Sequence, residues 1–335
     1  MASVVSVLGG GSWGTALAVH LARIGHEVRL WARSPDFAQE LQRARENLVY
    51  LPGIAFPAGL TPVGSLASAC DASEMLVFVC PSSAVRGLAE AVRPLAPRRP
   101  IVVSAAKGVE QETRLTMSAV LDQVLGEHHQ TRVAVLSGPS FAREVGQGVP
   151  TAVTAAARDL AVAEEVQRTF TGQTFRVYTS TDVIGVEIGG AVKNVIAVAA
   201  GLSDGLGFGQ NSRAALITRG LAEITRLAVQ LGADRQTLSG LSGLGDLVLT
   251  CAGDLSRNRT VGLRLGRGER LADIIASMKE IAEGVRNTLS VRDLARSVGV
   301  DMPITEQMYL LLYEEKSPRQ VVIDLMTRGL KREID

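Results

Sequence analysis

Aromatic residues are scarce in this sequence, at 4% of 335 residues. Its interior must therefore be filled by aliphatic side chains, which a hydrophobic content of 46% supplies. Charge of either sign is not in excess: 35 basic residues stand against 34 acidic ones. That balance lacks the footprint of a nucleic-acid or membrane-surface partner, so an anionic ligand would have to be held by a local site. Cys70, Cys80 and Cys251 show neither metal-ligand spacing nor a disulfide framework, which fits a reducing compartment and a cytoplasmic location. The four histidines, His20, His26, His128 and His129, lie outside every motif described below, and there is no H-E-x-x-H, so neither a histidine base nor a metal is expected. Long apolar runs are missing too. Residues 4–8 are apolar but end at three glycines, without a basic leader or cleavage site, so no signal peptide is expected. No uncharged stretch is long enough and poor enough in glycine to predict a membrane span.

What is present is alternation. Strand-like runs at 4–8, 27–31, 75–80, 101–104 and 133–136 are interleaved with helical patterns at 14–23, 36–45, 83–92 and 112–125. Such a pattern predicts βαβ units, hence a doubly wound, Rossmann-like parallel sheet with helices on both faces. Runs at 151–155 and 174–178 read as late strands flanking a helix at 159–170. After residue 182 strand signals vanish, and helices are expected at 183–200, 212–231, 271–278, 285–297 and 304–313. A chain of this length is expected to form two domains. The change of periodicity puts them at 1–181, a dinucleotide-binding α/β domain, and 182–335, an all-helical domain for substrate binding and catalysis.

The first strand runs into Gly9-Gly10-Gly11-Ser12-Trp13-Gly14, a G-x-G-x-x-G that opens a helix. Gly9 permits a tight turn, Gly11 lets backbone approach a pyrophosphate, and Gly14 lets helix pack on strand. At the end of the second strand an acidic residue would hold the ribose hydroxyls of NAD; here the sequence is Leu30-Trp31-Ala32-Arg33. An arginine suits a 2′-phosphate, so NADPH is favoured over NADH, with a solvent-facing Arg33 as the competing account.

In the second half, Lys193 stands alone in an otherwise uncharged run at 188–203. Apolar residues recur at every angle around that helix, which marks it as buried. An ammonium there must be paired, must snorkel to water, or must give up its proton readily, and the last is what a base requires.

These motifs resemble the NAD(P)-dependent glycerol-3-phosphate dehydrogenases of the bacterial type, along the whole chain. The carriers are Gly9–Gly14, Ala106-Lys107-Gly108, the run from Ser137 to Ala142, Gly190-Ala191-Val192-Lys193-Asn194, Gly243-Leu244-Gly245-Asp246-Leu247 and Ser256-Arg257-Asn258-Arg259. The resemblance implies reversible hydride transfer between NAD(P)H and C2 of the dihydroxyacetone phosphate/sn-glycerol 3-phosphate pair, feeding phospholipid synthesis, in a homodimer. It implies that Lys193 is the proton acceptor in alcohol oxidation. It further implies cofactor contacts from Ser12, Trp13, Arg33, Lys107, Ala142, Arg257 and Glu283. Substrate contacts would come from Lys107, Gly138, Ser140, Lys193, Asp246, Ser256, Arg257 and Asn258.

Physical chemistry supports several of these roles. Ser256-Arg257-Asn258 offers a hydroxyl, a guanidinium and an amide to a phosphate, although a helix-capping serine followed by solvated charge would read the same way. Lys107, just past a parallel strand, would face the crevice and polarise a carbonyl or orient the substrate. Asp246 and Asn194 would orient Lys193, with helix capping as the alternative for Asp246. A keto-acid or ketopantoate reductase of the same architecture, or a nicotinamide sensor without turnover, are the rival readings; the phosphate-binding triplet speaks against the first and the buried lysine against the second.

Overall fold

The computed structural model describes residues 2–97, 99–126, 132–278, 282–330 and 332–333. The expected alternation is present. Strands β1 (Val4–Leu8), β2 (Glu27–Trp31), β3 (Glu46–Asn47), β4 (Leu51–Ala55), β5 (Leu60–Val63), β6 (Met75–Phe78), β7 (Ile101–Ser104), β8 (Arg132–Ser137), β9 (Thr151–Ala156) and β10 (Phe175–Ser180) occupy the first half. Eight of them form one sheet in the order β10-β9-β8-β7-β6-β1-β2-β5, and β3 and β4 make a separate hairpin. Neighbours from β5 to β8 are parallel, whereas β9 runs antiparallel to β8 and β10 follows β9.

Side-chain alternation in the central strands covers both faces. In β6, Met75 and Val77 join one core while Leu76 and Phe78 join the other; in β7, Ile101 and Val103 oppose Val102 in the same way. Helices α1 (Ser12–Arg23), α2 (Pro35–Ala44), α3 (Leu66–Cys70), α4 (Val85–Val92), α5 (Met117–Leu121), α6 (Ala142–Gln147) and α7 (Leu160–Phe170) connect these strands. Helix α2 is delimited by its own chemistry: Ser34 caps it by accepting from the Phe37 N–H, and Arg45 ends it in the left-handed region at φ 51°. The helix expected from residue 112 starts only at 117. Arg114 has φ 60°, and the Glu110 carboxylate is tied to Arg86 and Thr113, so the preceding residues turn instead of coiling.

After Ser180 the chain is helical: α8 (Val183–Gly205), α9 (Gln210–Gln230), α10 (Asp246–Ala252), α11 (Arg257–Gly266), α12 (Leu271–Ser277), α13 (Glu283–Ser297), α14 (Pro303–Tyr313) and α15 (Pro318–Met326). Helix α8 is the axis of this half. Asp182 caps it through the Gly185 N–H at 2.8 Å, and α9, α10, α11 and α13 pack around it. It is apolar and long enough to cross a membrane by length and composition, with a mean hydropathy of 1.6, yet 89% of its most apolar stretch is buried within the protein. Two glycines make the α8–α11 contact close. A Cβ on Gly201 would lie 2.0 Å from the Arg259 carbonyl oxygen, and one on Gly262 would lie 2.0 Å from that of Val198. Helix α8 is tied to the sheet half by Glu187, which accepts from the Ser118 N–H at 2.8 Å and the Ser118 hydroxyl at 2.5 Å.

Candidate active site

Because β1, β2, β6, β7 and β8 run parallel as neighbours, the loops after their carboxyl ends share one edge of the sheet. There Gly9 leaves β1 with φ 142°, and a Cβ on it would lie 2.3 Å from the Val79 carbonyl oxygen. A Cβ on Gly14 would lie 1.9 Å from the Gly9 carbonyl oxygen, so the first turn of α1 packs directly on the loop. Gly11 differs: nothing stands within 4 Å of where its Cβ would be, and at the N-cap of α1 it offers no side-chain cap. The first-turn N–H groups of α1 thus begin beside open space, with no acidic side chain in that turn, a cradle that fits a dinucleotide pyrophosphate.

Ser12 and Trp13 follow in α1, both half-buried, and the Trp13 indole N–H has no hydrogen-bond partner among the described residues. Arg33 is exposed just past β2. Ala142 opens α6, and Glu283 opens α13, accepting from the Ser82 hydroxyl at 2.8 Å. Burial pushes the Glu283 carboxyl above the usual range, against the downward pull of that hydrogen bond.

The sheet edge meets α8 at two lysines. Lys107, from the loop after β7, donates to Asp246 Oδ2 at 2.6 Å and to the Gly138 carbonyl at 3.2 Å. Lys193, inside α8, donates to Asp246 Oδ1 at 2.5 Å and to Thr250 Oγ1 at 2.8 Å. One carboxylate at the start of α10 therefore holds two lysine ammoniums, one from each half of the chain. Asp246 is 1% exposed and Lys193 6%, while the Lys107 side chain keeps 18% and forms the open side of the cluster. Burial is the largest influence on Lys193 and lowers its pKa to about 8; Asp246 opposes that shift and the Lys107 charge adds to it. Gly190 makes the approach possible: a Cβ there would sit 2.8 Å from Ser137 Oγ and 3.6 Å from Lys107 Cγ.

The remaining candidates border this pair. Gly138 follows β8 with φ 143°, and its carbonyl accepts from Lys107 and from Ser140 Oγ at 3.0 Å. Ser256 caps α11 by accepting from the Arg259 N–H at 3.2 Å, so the capping account holds for its oxygen. Arg257, next along, is exposed. Asn258 is buried, donating to Asn194 Oδ1 at 2.9 Å and accepting from the Gly284 N–H at 2.8 Å. Asn194 bonds Asn258 and the Gly190 carbonyl, and no bond to Lys193 appears; it ties α8 to α11 instead of steering the lysine as expected. Capping does not describe Asp246, whose carboxylate turns to the lysines.

Two histidines are structural: His20 bonds the Phe170 carbonyl at 2.7 Å, and His26 bonds the Ser3 N–H and the Thr169 carbonyl. His128 and His129 lie outside the described residues, as does Ile281 beside Glu283. No group of three or more metal-ligating side chains occurs among the described residues. Sequence reasoning missed two residues. Thr250 is four residues after Asp246, a spacing that puts both on one helix face and could have flagged it. Asn287 donates to the carbonyl oxygens of Lys107 and Ala191, and no local pattern marks it.

The family model for the N-terminus of NAD-dependent glycerol-3-phosphate dehydrogenase matches residues 4–163, and that for its C-terminus matches residues 182–323. A glycerol-3-phosphate dehydrogenase [NAD(P)+] from Geobacter sp. (strain M21) is 54% identical over 333 residues, covering 99% of both chains. The crystal structure of a glycerol-3-phosphate dehydrogenase from Coxiella burnetii superposes with a TM-score of 0.94 at 40% identity, covering 98% of this chain and 99% of that one. A ketopantoate reductase from Ralstonia eutropha, 19% identical with a TM-score of 0.60 over 96% of this chain and 99% of that one, shares the fold alone. With both halves matched in order and relatives aligned end to end, this chain belongs to the NAD-dependent glycerol-3-phosphate dehydrogenase family.

Proposed function

We propose that this protein is a glycerol-3-phosphate dehydrogenase that reduces dihydroxyacetone phosphate at C2 to sn-glycerol 3-phosphate and catalyses the reverse oxidation, with Lys193 as the proton-transfer group. The observation that carries this reading is the buried Lys193–Asp246–Lys107 cluster, whose Lys107 comes from a loop at the carboxyl-end edge of the sheet that also carries the glycine turn. Residues 1–181 form the cofactor-binding domain and residues 182–335 the substrate domain. NADPH is preferred through Arg33, and the product supplies phospholipid synthesis. The three free cysteines support a cytoplasmic location. A homodimer is the working assembly.

Gly9, Gly11, Ser12, Trp13 and Gly14 hold the cofactor pyrophosphate, Arg33 its 2′-phosphate, and Lys107, Ala142, Arg257 and Glu283 the remainder. The bound nicotinamide supplies hydride chemistry at C2. Arg257, Asn258 and the α11 N-terminus capped by Ser256 hold the substrate phosphate, a dianion for which fixed donors are required. Gly138 and Ser140 line the side facing β8. In reduction, Lys107 hydrogen-bonds the C2 carbonyl oxygen and draws its electrons away from carbon. The Lys193 ammonium gives its proton to that oxygen, and the resulting amine recovers one from solvent. In oxidation the Lys193 amine accepts the hydroxyl proton. Asp246 and Thr250 keep its nitrogen aimed, and Asn194 secures the helix around it. A pKa of about 8 leaves both protonation states accessible near neutrality.

The test is nicotinamide absorbance decay with dihydroxyacetone phosphate, using NADPH and NADH in parallel and ketopantoate as control. Rapid decay with the triose phosphate alone is expected. Turnover of ketopantoate instead would remove the phosphate-site assignment, and tight NADPH binding without turnover would bring the sensor reading forward.

A further inference from the structure

The proton-transfer reading leaves a geometric problem. Lys107 and Lys193 sit on segments from different halves of the protein, and each ends a long side chain with several rotatable bonds. Asp246 gathers the two ammoniums but does not hold either backbone. One side chain does. Asn287, on α13 and 1% exposed, places its amide nitrogen 3.0 Å from the Lys107 carbonyl oxygen and 3.3 Å from that of Ala191, two residues before Lys193. Both partners are acceptors, so the NH2 end of the amide must face them, and its two hydrogens serve the two lysine-bearing segments at once. Gly108 completes the contact, since a Cβ on it would meet Asn287 Oδ1 at 2.9 Å and Ser82 Cβ at 2.5 Å. The loop that carries Lys107 can therefore lie against Asn287 only with glycine at that position.

We propose that Asn287 is a positioning residue for the reaction: its amide bridges the backbone of the Lys107 loop to that of α8 and so sets the spacing of the two lysines across the cleft. The inference rests on the roles given above to Lys107 and Lys193. Asn287 itself touches neither ammonium. It acts by keeping the carbonyl-polarising group and the proton donor at a separation that suits one oxygen atom, where small misplacements cost rate steeply. Its neighbours on α13 work in the same direction: Glu283 accepts from the Ser82 hydroxyl at 2.8 Å and Arg286 donates to Ser83 Oγ at 2.6 Å, so this helix start joins the two halves at three points.

Asn287→Leu keeps the approximate shape and removes both donors, and Asn287→Ser restores one shorter donor. Both are compared with the unaltered protein by kcat per NADPH-binding site, KM for dihydroxyacetone phosphate and Kd for NADPH. Expected for Asn287→Leu is a kcat about 30-fold lower, with NADPH Kd within twofold of the parent value and KM moving less than kcat. Asn287→Ser should recover part of that loss. Counting only molecules that bind NADPH excludes unfolded protein, and the serine variant keeps the question open to measurement should the leucine variant not fold. Parent-like kcat in the variants, or a loss carried wholly by NADPH affinity, would overturn the proposal. Failure of the unaltered protein to reduce dihydroxyacetone phosphate would overturn the functional reading instead.

Discussion

The two helix starts proposed above to hold the anionic groups of cofactor and substrate are built differently. Helix α1 begins at Gly11, with no side chain, no side-chain cap and open space where a Cβ would stand. Helix α11 begins at Ser256, 3% exposed, whose hydroxyl serves the helix itself, while Asn258 is committed to Asn194 and Gly284. The first binds with backbone alone, and its donors cost nothing elsewhere in the fold. The second is tied by its own Asn258 to the Asn194 side chain of α8 and the Gly284 backbone N–H of α13, so its geometry is linked to the packing of those helices. Pyrophosphate binding at α1 should therefore tolerate changes in the helical half away from Arg257 and Glu283, whereas substrate binding should not.

The largest effect separates chemistry from both anion sites. Lys193→Met should lower kcat about 10³-fold while leaving NADPH binding, followed by nucleotide fluorescence, unchanged. A near-parent kcat would remove Lys193 from the mechanism. The same group sets the pH dependence: its pKa of about 8 lies below the ordinary 10.5, so the donor form is lost early. The kcat/KM for ketone reduction should fall about tenfold per pH unit above 8, and that for alcohol oxidation should level off at the same point.

Gly11→Asp strikes the backbone site. Its Cβ meets nothing within 4 Å, so thermal stability should hold, but a carboxylate beside the pyrophosphate should raise the NADPH Kd roughly 30-fold by titration. A stable protein with unchanged affinity would place the cofactor elsewhere. Arg33→Ala should lower the NADPH/NADH ratio of kcat/KM about tenfold. At the helical site, Ser256→Ala should cost about 1 kcal/mol in urea unfolding and raise KM for the triose phosphate, with NADPH affinity unmoved.

The same contrast explains what could be read before the structure. Gly9 to Gly14 speak through spacing along the chain, as do the apolar alternations of the central strands, because turn chemistry and pleat are local. The short strand β5 escaped notice because it carries Pro62, which an edge strand paired only with β2 tolerates and a central one would not. The hairpin of β3 and β4 includes Pro52 and Gly53 and shows no period of two. Its purpose is tertiary: Asn47 donates to the Gly10 carbonyl at 3.0 Å and to Thr15 Oγ1 at 2.8 Å, bracing the glycine turn. Lys193 stood out as charge in an apolar helix, but its partnership with Asp246 spans 53 residues and that of Asn287 with Lys107 spans 180. Periodicity carries no information about such pairs.

Helix α8 also imposes an order on synthesis. Its cover of α9, α10, α11 and α13 is encoded downstream of it, so the ribosome releases an apolar segment long enough to span a bilayer before most of its shelter exists. Until residues near 297 emerge, the stretch that bears Lys193 lacks part of the helical cover it has in the folded protein. The helix that carries Lys193 is thus also, among the described residues, the one helix long and apolar enough to cross a membrane by length and composition.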